Sequence, residues 1–217
     1  GGDTGLVHAE PAGQHREVEP GQHREDQHLD HRVDGDQHGG GLAVTAREIV
    51  PNVNSISAAC REAGGLNVFL QHTIDAKAHE TWSTWFDYFS HADRRKRMDE
   101  TFAEGSFGHQ LWHLLDIADA DLKVKKSRFG AFVEGSSGLH GILQARGIDT
   151  LIITGTATNV CCESTARDAM MMDFKVVMVS DGTAALSEAE HQAALENIIQ
   201  QFGDVMPPDE ILERLRP

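Results

Sequence analysis

No apolar run in this 217-residue chain approaches the roughly 18 residues of a membrane span, and its first residues are too polar for a signal peptide. A membrane or secreted location is therefore not expected. Cysteine is scarce: Cys60, Cys161 and Cys162 are the three, two of them adjacent, which is no disulfide framework and points to a reducing cytoplasm. Basic residues are also in short supply. Lys and Arg total 19 against 34 Asp and Glu, a net charge of −15. Nucleic acid and anionic membranes would be repelled by such a surface, so neither is an expected partner.

What is present divides into two compositions. Residues 1–40 hold 6 of the 13 histidines, 9 acidic residues, 3 arginines and no aromatic residue. Within them Gly13-Gln14-His15-Arg16-Glu17 recurs as Gly21-Gln22-His23-Arg24-Glu25. Aliphatic residues are sparse there and follow neither strand nor helix period. Such a stretch cannot bury enough apolar surface to offset its ordering entropy, so residues 1–41 are expected to be a low-complexity segment, either structureless or not native coding sequence. Its histidines have no metal-ligand spacing, and a metal is not expected.

Residues 42–217 form the expected globular domain. Residues 46–63 place Ile49, Val53, Ile56 and Cys60 at helical spacing, with Pro51 in the first turn and Gly64-Gly65 as the stop. Short strands are predicted over 67–71, 121–125, 150–154, 175–179 and 205–206, the third a continuous apolar run suited to a doubly covered sheet. Helices are predicted over 137–146, 161–172, 187–200 and 209–215. Residues 81–113 read as short helices and loops, with the basic stretch ending at Arg97 in solvent. Trp82, Trp85 and Phe86 are candidates either for a pocket wall or for ordinary packing. Strand and helix alternation gives the fold class: α/β, a three-layer α/β/α Rossmann-like parallel sheet behind a low-complexity N-terminal segment.

In an open parallel sheet, ligands bind beyond the carboxyl ends of the strands. The loop leaving the 150–154 strand, Gly155-Thr156-Ala157-Thr158-Asn159-Val160-Cys161, passes directly into a helix, with Thr158 or Asn159 as the expected N-cap. A thiol in that first turn sits at the positive end of the helix, where the thiolate is favoured and backbone N–H groups can hold an oxyanion. Cys161 and Cys162 could equally be small buried hydrophobes, and spacing does not say which one faces a cleft. The 121–125 strand leads into Lys125-Lys126-Ser127-Arg128-Phe129, where a lysine could stabilise a thiolate or simply be solvated.

These runs carry a resemblance. Leu151 to Ala169, with Thr158-Asn159-Val160-Cys161-Cys162-Glu163-Ser164-Thr165 at its centre, Val179-Ser180-Asp181-Gly182, and Lys126 to Phe132 followed by Gly135 to Leu139, resemble the isochorismatase-like cysteine hydrolases over residues 46–217. In pattern the chain is most similar to ureidoacrylate and N-carbamoyl-amide amidohydrolases. The resemblance implies Cys161 as nucleophile, Cys162 as a packing residue and Lys126 as its catalytic lysine. It further implies an oxyanion hole from the backbone of Ala157 and Cys161, and a cis peptide between Thr156 and Ala157. Activity is then cysteine-dependent cleavage of a C–N bond in a small amide or ureido substrate through a thioester, without cofactor or metal, in a homo-oligomer. His72, Asp75 and His79 do not reproduce the spacing of the metal-holding nicotinamidases. Vinyl-ether hydrolysis of isochorismate is a weaker alternative, because that chemistry needs no nucleophilic cysteine.

One departure bears on activity. The family's first strand is central, between the 67–71 and 150–154 strands, and ends in Asp-Met-Gln, whose Asp is the acid/base. Residues 1–40 contain no such strand by pattern; Asp26, Asp30 and Asp34 fall in the window without the motif. The competing expectation is a catalytically impaired member that retains ligand binding or oligomer packing.

Overall fold

The computed structural model describes residues 4–11, 46–89 and 92–216. Strand β1 is Thr4–Pro11, followed by α1 (Val50–Glu62) and β2 (Leu66–His72). Helices α2 (Ala78–Thr81) and α3 (Ala92–Phe102) flank a π-helical turn, Thr84–Phe89. Next come β3 (Leu122–Lys126), α4 (Leu139–Gln144) and β4 (Ile148–Thr156). A second π-helical turn, Thr158–Cys162, runs into α5 (Glu163–Met171), then β5 (Lys175–Ala184) and α6 (Glu188–Asn197). A third π-helical turn, Ile198–Phe202, precedes β6 (Asp204–Met206) and α7 (Pro208–Arg214).

The six strands form one sheet in the order β3-β2-β1-β4-β5-β6. On one face, Val68, Leu70, Leu151, Ile153, Val176 and Met178 pack against Leu139 and Leu143 of α4, Ala166 and Ala169 of α5, and Leu195 of α6. On the other, Ile152, Val179 and Met206 meet Ile56 and Cys60 of α1 and Ile211 of α7. β4 contributes to both faces because consecutive side chains of a strand point to opposite sides. Its near-continuous burial is the physical content of the apolar run Leu151-Ile152-Ile153. The three-layer α/β architecture is the one expected from strand and helix alternation.

The expectation of no strand in residues 1–41 does not hold at Thr4–Pro11. This segment occupies the central slot, hydrogen-bonded to β2 on one side and β4 on the other. Its direction departs from an all-parallel sheet: β1 is antiparallel to both neighbours, whereas β2–β3, β4–β5 and β5–β6 are parallel. The physical reason for its presence lies in β2 and β4. Each would otherwise bury a row of unpaired N–H and C=O groups, and a strand of either direction satisfies them. Residues 12–45 lie outside the described residues.

Side-chain bonds tie the amino end of β3 to α1. Arg61 donates from Nε and Nη2 to the two carboxylate oxygens of Asp121, at 3.0 and 2.7 Å. Asn67 Nδ2 donates to Asp121 Oδ1 and to the carbonyl of Ser57. Burial works to raise the Asp121 carboxyl, but the bonds from Arg61, Ala118 and Asn67 outweigh it and hold it below the usual carboxylate range. This network joins α1 and β2 to the residue just before β3, whose register is set by its backbone pairing with β2.

The central position of β1 yields a test. Val7 pairs with Val68 and with Ile153, so Val7→Pro removes a ladder donor between two partner strands. Each buried backbone group left unpaired costs about 1–3 kcal/mol. Thermal unfolding of Val7→Pro is expected to shift down by several degrees, whereas proline in a structureless tail would leave the midpoint unchanged.

Candidate active site

The carboxyl ends of β2, β3, β4 and β5 lie along one edge of the sheet. β3 ends at Lys126, placed by register opposite His72, the last residue of β2. Lys126 therefore belongs to the strand itself, one residue beyond its predicted end. The adjacent lysines have opposite fates. Lys125 is exposed and ion-paired with Glu104, drawing the Glu104 carboxyl below its ordinary range. Lys126 is 1% exposed. Strand alternation alone separates the solvated lysine from the buried one.

A buried ammonium must have its N–H groups satisfied, and Lys126 Nζ has three donors. They go to the carbonyls of Arg128 and Phe129, at 3.0 and 3.1 Å, and to Cys161 Sγ at 3.2 Å. The Lys126-Ser127-Arg128-Phe129 run thus folds back on its own lysine and directs the remaining N–H to a thiol 35 residues away.

Cys161 is held by the π-helical turn Thr158–Cys162. The peptide bond between Thr156 and Ala157 is cis. The carbonyl of Ala157 accepts from the amides of Val160 and Cys162, both at 3.1 Å, and that of Thr158 accepts from the amide of Glu163. The N-cap of the turn is Ala157, without a side-chain cap, rather than Thr158 or Asn159. Thr158 is diverted: its hydroxyl is 2.9 Å from His191 Nδ1 on α6. The neighbouring thiols face different ways. Cys162 packs in the main core, with its Sγ 3.9 Å from the Thr154 carbonyl, while Cys161 Sγ meets Lys126. The wider five-residue turn sets the direction of Cys161, which spacing on an ideal helix did not specify.

His72 is 2% exposed, and neither ring nitrogen has a hydrogen-bond partner among the described residues. The Arg128 backbone approaches it without reaching hydrogen-bond geometry. Burial, with the nearby Lys126 ammonium, pushes its pKa down to about 3, so the imidazole is neutral. It lies edge-on to Phe102 at 4.9 Å and is stacked at 6.1 Å on Phe129. Sequence reasoning weighed His72 only as a metal ligand; its place at a strand end, in register with Lys126, was the available signal. His79 is elsewhere, bonded to Asp99 and stacked on Phe86. Among the described residues no group of three or more His, Cys, Asp or Glu is placed to hold a metal.

The aromatic residues divide as well. Phe86 is fully buried with Ile74, Ala78 and Phe102. Trp82 and Trp85 remain partly exposed and contact Phe129, at 4.9 and 5.9 Å between ring centroids. Arg128 lies 5.1 Å above the Trp82 ring. Two tryptophans therefore flank the segment that holds Lys126, and the third aromatic is core. Asp26, Asp30 and Asp34 lie outside the described residues, and Lys126 has no carboxylate partner among the described ones.

Comparison with known proteins shows the family. The family model described as the isochorismatase domain matches residues 32–210. Ureidoacrylate amidohydrolase of Klebsiella pneumoniae is 32% identical over 186 residues, covering 82% of this chain and 78% of that protein. The same-named enzyme of Variovorax paradoxus is 33% identical over 180 residues, covering 79% and 71%. A cysteine hydrolase structure from Pseudomonas syringae pv. phaseolicola superposes with TM-score 0.69 at 27% identity, covering 79% and 81%. N-carbamoylsarcosine amidase from Thermoplasma acidophilum, at 19% identity and TM-score 0.59 over 76% and 86%, shares the fold. The chain belongs to the isochorismatase-like hydrolase family.

Proposed function

We propose that the protein is a cysteine-dependent amidohydrolase that cleaves the C–N bond of a small amide or ureido compound. The observation that carries this reading is the 3.2 Å contact between Lys126 Nζ and Cys161 Sγ, both 1% exposed, with Cys161 in the helical turn that leads into α5. The ammonium lowers the cost of charge on sulfur, and the positive end of the helix adds to it. Relatives named for ureidoacrylate and for N-carbamoylsarcosine point to the substrate class.

In the proposed reaction Cys161 gives its proton to an acid/base, and Sγ attacks the carbonyl carbon. The oxyanion is held by the backbone N–H groups of Ala157 and Cys161. The C–N bond then breaks, the departing nitrogen takes the proton, and water hydrolyses the thioester, regenerating the thiol. A reducing cytoplasm suits a thiol nucleophile, and the working form is proposed to be a homo-oligomer.

One observation favours a second reading, an impaired member that binds ligand or packs in an oligomer without turning over. Lys126 has no carboxylate partner among the described residues. The direction of β1 bears on this. Because β1 is antiparallel, its amino end, Thr4 and Gly5, stands beside Gln71 and Gly155 at the carboxyl edge, and Pro11 is at the far edge. The acidic residue next to that amino end in sequence is Asp3.

The two readings are separated by release of ammonia or amine from a panel of small amides and N-carbamoyl compounds. Cys161→Ala and Lys126→Met are expected to lose at least about a thousandfold in kcat, the scale on which members of a catalytic unit act. Cys162→Ala should keep most of it; equal losses in the two cysteine variants would overturn the assignment of Cys161. Among the acidic candidates, Asp3→Asn is expected to abolish turnover while Asp26→Asn, Asp30→Asn and Asp34→Asn retain it. No turnover by the unmodified chain on any member of the panel would favour the impaired reading. The titration of His72 predicts an acid limb in stability. Its folded pKa, about 3, is below the unfolded value of 6.5, so the unfolded chain binds the extra proton between them. Stability contributed by neutral His72 is present above pH 6.5 and falls as pH drops toward 3. Urea unfolding of His72→Phe across that window is expected to show a shallower acid limb than the parent.

A further inference from the structure

Thr158 and His191 belong to no role assigned so far. Thr158 is 0% exposed and opens the π-helical turn that carries Cys161. Its carbonyl accepts the amide of Glu163, closing the loop around the thiol, and its hydroxyl meets His191 Nδ1 at 2.9 Å across 33 residues of sequence. His191 stands one turn inside α6, whose N-cap Ser187 accepts the amide of Glu190. The imidazole is half-buried and also lines a cavity of about 450 Å³ beside the end of β5, with Ser180, Thr183 and Ala184. One side-chain bond therefore links the start of the turn to α6, on the other side of β4 from Lys126.

We infer that His191 is a positioning residue for Cys161, acting through Thr158. The inference rests on the reading of Cys161 as nucleophile. Lys126 meets the thiol itself, but its other two bonds go to its own loop and none reaches the start of the turn from which the thiol projects. The Thr158 hydroxyl is the side-chain anchor at the start of that turn. Without its partner it would be a buried polar group lacking a hydrogen bond, and the turn could relax to recover one. Either tautomer of His191 serves, since a hydroxyl can donate to a bare Nδ1 or accept from a protonated one. Asparagine places an amide near the Nδ1 position and can act in both senses, whereas leucine fills the space and can do neither.

The test uses the full chain and iodoacetamide, itself a small amide, with labelling of each cysteine followed by mass spectrometry of its peptide. Thr158→Val and His191→Leu are each expected to slow labelling of Cys161 by about tenfold or more, as displacement of a reacting group does. Thr158→Ser and His191→Asn should recover most of that rate. The double variant Thr158→Val with His191→Leu should be no slower than the slower single, because both remove the same bond. Equal slowing by the conservative and the apolar variants would mean packing rather than a hydrogen bond, and would overturn the inference. So would additive losses in the double variant, or no slowing in either apolar variant. The reading beneath it fails separately: if Cys161 of the parent protein labels no faster than Cys162, Cys161 is not the activated thiol.

Discussion

Every other feature of this molecule depends on what fills the middle of its sheet. β2 and β4 meet through β1, and both hydrogen-bonding rows facing that slot are inside the protein. Buried backbone groups must be paired, so the chain has to supply a strand there. Thr4–Pro11 does so in the reverse direction, which satisfies the same donors and acceptors while exchanging the two ends of the strand. The ladder is preserved and the chemistry delivered to the carboxyl edge changes, because a different end of the segment arrives there.

At that edge the governing problem is a buried cation. Lys126 is supported by two carbonyls of the loop that follows it and by a thiol from another element. The neighbouring imidazole stays neutral chiefly because it is buried, and the ammonium beside it adds to the cost of a second charge. The site is thus assembled from a strand end and a helical turn, each braced from behind. Arg61, Asp121 and Asn67 brace the entry of β3, and α6 stands against the turn of Cys161.

The lower-complexity parts of the chain were the least legible. In Thr4–Pro11 only Leu6 and Val7 form an aliphatic pair, too little to mark a strand, since its pairing comes from backbone groups of β2 and β4 far away in sequence. The stretch around Trp82 could not be divided by pattern either. Phe86 is core and the two tryptophans flank the site loop because α3 supplies Phe102 and the loop after β3 supplies Phe129, neighbours that no local spacing encodes. Helix ends moved by a few residues, most visibly at Thr158, where a tertiary partner took the hydroxyl that local logic assigned to the cap.

By itself the sequence determined the layered α/β fold, the strand-to-helix passage at Cys161 and the lysine-bearing end of β3. Those features are written in local chemistry: apolar runs of strand length, alternation of strand with helix, and residues quoted in order along two short motifs. The resemblance singled out Cys161 and Lys126, but only the tertiary structure decided the direction of β1, the contact of Cys161 with a buried Lys126 beside an exposed Lys125, and the bond between Thr158 and His191. Each of these depends on a group contributed from elsewhere in the chain, and hydrogen-bond satisfaction inside a packed molecule is decided by what is near in space.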